Sequence, residues 1–200
     1  MLLTLPGADP DTVAALSEQV QVAGTQVIAS YGLKRTLVDP EEKTLVDTLG
    51  LQLVSQLGSD VVTADATTYD RMGQLVGRAV SATKRSAALE AAKRGSLRAS
   101  LQGAQLLALP DGEPNVAPLV LSGLVSGLAA VAKGVVVAGP TGDADLAALR
   151  ATPPTRPVAT VDGTDTAAGR VATVLALVRV LSEPGGSFGA SGSDGPAPLG

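Results

Sequence analysis

Apolar residues along the chain come in two rhythms, short uninterrupted runs and longer stretches at helical spacing, and the two alternate almost to the end. Leu2 to Leu5 is a first run, closed by Pro6-Gly7 as a strand is closed by a turn. Asp9 or Asp11 then caps a helix whose inward positions are Val13, Leu16, Val20 and Ala23, with Gly24 as its terminator. Val27 to Ser30 follows as a second strand, and so short a β-α-β unit defaults to a right-handed crossover between parallel strands. Asp39-Pro40-Glu41-Glu42 opens a helix, with acids where the dipole favours them, and Leu45, Leu49, Leu53 and Leu57 continue its face to Gly58. Val61 to Ala64 reads as a short strand or a loop, followed by helices from Thr68 to Ala82 and from Lys84 to Gln102.

Beyond them, Ala104 to Leu109 is expected as an edge strand and Ala117 to Ser122 as another strand, joined by the turn-rich Pro110 to Asn115. A small-residue helix runs from Gly123 to Lys133, then a strand from Val135 to Ala138. Asp143 or Asp145 starts a helix that reaches Arg150, Val158 to Val161 is the next strand, and Thr166 to Leu181 is the closing helix. The alternation predicts one Rossmann-like, three-layer α/β domain with a mainly parallel sheet over residues 1–183. Residues 184–200 are rich in Gly, Ser and Pro and are expected as a flexible tail, with Phe188 its one candidate for docking back.

Composition narrows the chemistry more than the architecture. The 45% hydrophobic content is mostly Ala, Val and Leu with only 2% aromatic, which suits helices laid on a parallel sheet. Having neither Cys nor His, the chain has no disulfide framework, thiolate nucleophile, Ser-His-Asp triad or imidazole metal ligand. Met1 and Met72 are the only thioethers, a poor donor set for Cu(I). A net charge of -4 argues against nucleic acid as a partner. One stretch runs the other way: Arg71, Arg78, Lys84, Arg85, Lys93, Arg94 and Arg98 face the single acid Glu90, and form either a solvated helix face or a basic stripe. The N-terminus lacks the basic start of a secretory signal. Val116 to Ala132 is the nearest thing to a membrane span, but Pro118, Gly123 and Gly127 divide it into a strand and a helix.

The sharpest polar cluster is Asp162, Asp165 and Arg170, at the turn between the last internal strand and the closing helix. Paired carboxylates there can do acid/base work or hold Mg²⁺. Capping accounts for the same residue types: Asp165 or Thr164 as the N-cap, Asp162 near the helix dipole, Arg170 bridging back to a carboxylate. The glycine turns at Gly7, at Gly123 with Gly127, and at Gly139 with Gly142 invite a phosphate, yet none completes G-x-G-x-x-G and there is no P-loop sequence. No catalytic residue, metal ligand or cofactor is therefore assigned, and Asp162, Asp165, Arg170 and Phe188 stand as candidate recognition residues.

The run Val161-Asp162-Gly163-Thr164-Asp165-Thr166-Ala167-Ala168-Gly169-Arg170, the apolar helix behind it, Gly185-Gly186-Ser187-Phe188-Gly189 and the opening Leu3-Thr4-Leu5-Pro6-Gly7-Ala8 resemble the MctB/SteB-like proteins of actinobacterial envelopes, often described as copper transporters. The resemblance covers essentially the whole chain. It implies an extracytoplasmic domain, anchored to the cell membrane by an upstream helix and coiled coil. Two roles come with it: copper efflux, as an accessory or pore component, and scaffolding of cell separation with a SteA-like divisome partner. Lacking a soft-metal donor set, the chain is expected to be a non-enzymatic interaction domain, homodimeric through the coiled coil or through a small-residue helix face. A nucleotide- or sugar-phosphate-binding enzyme is the remaining alternative.

Overall fold

The computed structural model describes residues 1–24, 27–93, 104–110, 115–183 and 185–198, leaving aside the side chains of 82–93. Six strands, β1 (Leu2–Thr4), β2 (Ser30–Gly32), β3 (Ala104–Ala108), β4 (Gly134–Gly139), β5 (Ala159–Asp162) and β6 (Gly186–Phe188), form one sheet in the order β2-β1-β3-β4-β5-β6. Every pairing is parallel. The helices are α1 (Pro10–Val22), α2 (Lys43–Leu57), α3 (Thr68–Lys93), α4 (Pro118–Val131), α5 (Ala144–Ala151) and α6 (Ala167–Arg179). This is the expected three-layer α/β arrangement.

Strand side chains alternate between the faces, so each strand feeds two cores. Leu3, Leu107, Val135 and Val137 meet residues of α2, α3, α4 and α5 on one face. Leu2, Leu106, Val136, Ala138 and Val161 meet α1 and α6 on the other. Fully covered leucines such as Leu107, Leu121 and Leu128 each contribute about 1.5–3 kcal/mol by leaving water.

Several elements differ from the sequence expectation, each for a packing reason. Residues 104–108 are not an edge strand; β3 lies between β1 and β4 with all five residues buried, as an apolar run without alternation requires. Ala117 to Ser122 is not a strand but the start of α4, which is apolar all round because α3 and α5 cover it from outside and β4 from beneath. No helix among the described residues is long and apolar enough to cross a membrane. Val61 to Ala64 is the loop of its two readings, entered from a 3-10 turn over Ser59–Val61, and the second strand begins at Ser30, in register with Leu2, not at Val27. A single helix, α3, replaces the first predicted helix and the start of the second; residues 94–102 of the latter lie outside the described residues.

The small-residue helix face is used inside the chain. Gly73 of α3 and Gly127 of α4 bring the two backbones together so closely that a Cβ on Gly127 would stand 2.0 Å from Asp70 O. At these glycines that face is covered by the protein itself. Of the basic residues in the predicted stripe, Arg71 of α3 pairs with Asp47 at 2.7 Å and Arg78 of α3 donates to Asp60 O at 3.4 Å; the side chains of Lys84, Arg85 and Lys93, and residues Arg94 and Arg98, lie outside what is described.

Residues after Gly185, expected as a flexible tail, instead add β6 to the sheet beside β5. Phe188 supplies the reason: its ring is 2% exposed, part of the α1/α6 core. Its apolar anchor outweighs the composition around it.

Candidate functional site

Doubly wound sheets bind ligands beyond the carboxyl ends of their strands, where the chain leaves in opposite directions. Here that switch point lies between β1 and β3, because α1, which follows β1, lies on one face and α4, which follows β3, on the other. Asp9 caps α1, its carboxylate accepting from Thr12 N at 2.8 Å and Thr12 Oγ1 at 2.7 Å. Asn115 Nδ2 reaches across to Pro6 O at 2.9 Å. Asp145, a carboxylate of α5 only 2% exposed, accepts from Asn115 N at 3.0 Å and Val116 N at 3.2 Å, and so pins the segment leading into α4. Among the described residues, a small space between Asp9, Thr12, Leu109, Pro140 and Thr164, beside α1, is about 10 Å³, room for one water.

At the neighbouring β4 and β5 ends the predicted cluster divides into three separate roles. Thr166, not Asp165 or Thr164, is the N-cap of α6, its hydroxyl accepting from Gly169 N at 3.0 Å. Asp165 instead ties this turn to the one after β4, accepting from Thr141 N at 2.7 Å and Thr141 Oγ1 at 2.9 Å. Burial works against its ionisation, but the amide and hydroxyl of Thr141, helped by the nearby Arg170, outweigh that and hold its pKa below the ordinary 3.8. Arg170 spans its own turn, donating to Thr164 O at 3.0 Å rather than bonding a carboxylate.

Asp162 lies away from the helix dipole, in an ion pair 2% exposed on its side. Arg150 of α5 approaches it at 3.2 Å, and Ser191 N donates to it at 3.0 Å. The same guanidinium donates to Thr160 Oγ1 at 3.0 Å, Ser191 Oγ at 2.7 Å and Phe188 O at 2.7 Å. Arg150 and Asp162 together bolt the C-terminal segment to β5. Phe188, on the far face, packs under Arg179, whose guanidinium carbon is 5.6 Å from the ring centroid.

The structure thus brings Asp162 and Phe188 into one latch and places Asp165 and Arg170 in a separate turn. Sequence reasoning missed Arg150, Asn115, Asp145 and Ser191 as its working partners. The available signal was Arg150, a charge ending an apolar helix just ahead of the buried strand it reaches. Beside the latch, an open groove of about 370 Å³ runs between Pro153, Pro154 and Pro157 on one side and Gly185, Ser187 and Asp194 on the other. Among the described residues no three carboxylates come together as a metal site, and Met72 is buried in the core.

No curated protein matches this chain. The family model described as copper transport outer membrane protein, MctB, matches residues 1–122 and 117–198, the two stretches that between them hold the switch point, the latch and β6. The chain belongs to the MctB family.

Proposed function

We propose that this chain is a non-enzymatic, extracytoplasmic domain of an envelope protein, working by binding other proteins and held at the membrane through a helix upstream. The strand-end turns carry the reading: among the described residues, the space between Asp9, Thr12, Leu109, Pro140 and Thr164 is about 10 Å³, room for a water and not for a substrate. The strand-end acids Asp9, Asp145, Asp162 and Asp165 bond internal groups and hold the turns in place. That leaves recognition to the outer surface. A SteA-like divisome protein is the partner we favour, in cell separation.

The family's copper description favours a second role, in which the domain serves a copper-efflux assembly. Copper is then cargo bound by other components, since this chain offers no His, no Cys and one core-buried methionine besides Met1. A pair of titrations separates these readings. The purified chain, competed against a chromogenic Cu(I) chelator, leaves the metal with the chelator, while an immobilised SteA-like protein binds it saturably. Stoichiometric capture of Cu(I) overturns the interaction reading in favour of the metal, and absence of saturable binding removes the named partner.

A further inference from the structure

We propose that the open edge at β2, with the adjoining surface of α2, is the contact through which two copies of this chain pair about a two-fold axis. The inference goes beyond the binding role argued above and stands without it. Leu2 N donates to Ala29 O at 3.1 Å and Leu33 N to Thr4 O at 2.9 Å, which fixes the phase of the β1 ladder. Residues 29, 31 and 33 turn their peptide groups to β1, so Ser30 and Gly32 direct theirs outward. All three residues of β2 are exposed and none is charged. Such an edge is a template for another strand.

Symmetry makes a second copy the fitting occupant. Antiparallel pairing of two β2 strands around Tyr31 sets Ser30 opposite Gly32 of its partner, and Gly32 opposite Ser30, forming a hydrogen-bonded pair on each side of the axis. Tyr31 stands opposite Leu3 in the register and so lies on the face that α2 covers, where two tyrosines would meet on the axis. A three-residue strand cannot bury the roughly 800 Å² per partner of a standard interface. Helix α2 supplies the rest: it packs beside the 3-10 turn Arg35–Leu37 that follows β2, and leaves Leu45 52% and Leu49 37% exposed one turn apart. The rim between β2 and α2 carries both signs, Lys34 and Arg35 against Glu41 and Glu42, all exposed and, among the described residues, none in an ion pair. Opposite charges on one patch are what a self-complementary contact needs, and they disfavour an anionic membrane as the occupant.

Sedimentation of the intact chain over a concentration series tests this. A dimer is expected, weakened at least about tenfold by Tyr31→Glu, which sets like charges on the axis. The double variant Lys34→Glu/Arg35→Glu and the double variant Glu41→Lys/Glu42→Lys each dimerise poorly alone, and mixing them restores a dimer. A merely structural role for these residues would not yield that rescue. A chain that is monomeric throughout, or a dimer indifferent to all three variants, overturns the proposal. So does a monomer whose Tyr31→Glu variant loses a different protein, which assigns the surface to that partner.

Discussion

At the β6 end of the sheet the chain folds back over its own edge, Asp194 N donating to Ser187 O and Ser187 N to Asp194 Oδ2, both at 2.8 Å; at the β2 end Ser30 and Gly32 meet no such cover among the described residues. Behind the β6 edge stand Arg150 and Asp162, which bond residues 188 and 191. Behind the β2 edge stands an uncharged strand and a helix with exposed leucines. Both strands are three residues long, so length does not set their fates. The difference lies in what stands beyond the strand: a buried ion pair and a returning turn at one end and, among the described residues, neither at the other. Among the described residues the sheet is thus sealed at one edge and open to further pairing at the other.

Removing the seal is the largest test of that contrast. Arg150→Ala leaves the Asp162 carboxylate buried with only Ser191 N as partner, and loss of about 3–5 kcal/mol is expected by urea denaturation. Limited proteolysis should then cut the segment after Gly185 before the rest of the chain. A loss below about 1 kcal/mol would mean that β6 is held by Phe188 alone. A matched pair of substitutions asks the same question at both edges. Gly189 has φ +102° and a Cβ there would lie 2.2 Å from Asp162 Oδ1, so Gly189→Ala should cost about 1–3 kcal/mol. Gly32 has ordinary φ, and its nearest neighbour to an added Cβ is Thr4 Oγ1 at 3.5 Å, so Gly32→Ala should stay within about 0.5 kcal/mol of wild type. Equal costs at the two positions would erase the asymmetry.

These edges also mark how far the sequence could be read. The alternation of runs and helical stretches located the layers, because burial on two faces makes each strand a continuous apolar run. It failed at α4, where a helix enclosed on every side has the same uninterrupted run as a strand, and only its length and the close approach of α3 at Gly127 distinguish it. It failed at the tail, where Gly and Ser dominate composition but one buried Phe188 decides. The leucines of α2 show the converse: the face from Leu45 to Leu57 was expected inward, yet Val46 and Gly50 are the buried positions, because α2 packs mainly against α3. In the candidate site, residue types were legible and partnerships were not. Asp162 meets Arg150 across 12 positions and Ser191 across 29, separations no local pattern encodes.

The gentlest test alters no residue. Amide hydrogen exchange reads each edge directly, since a backbone N–H bonded within the fold exchanges only on local or global opening, and one facing water exchanges freely. Ser187 N, bonded to the side chain of Asp194, should be protected, and its protection should fall in Arg150→Ala as the returning turn is released. Ser30 N and Gly32 N, which face away from β1, should exchange at near unprotected rates at low protein concentration. If the β2 edge is a pairing surface, both slow together as concentration rises, while Tyr31 N on the β1 side and Ser187 N at the sealed edge keep their rates. Concentration-dependent protection at Ser187 instead would place the contact at the sealed edge. Protection of Ser30 and Gly32 already complete at high dilution would show that the chain itself covers this edge, and the contrast between the two ends of the sheet would disappear.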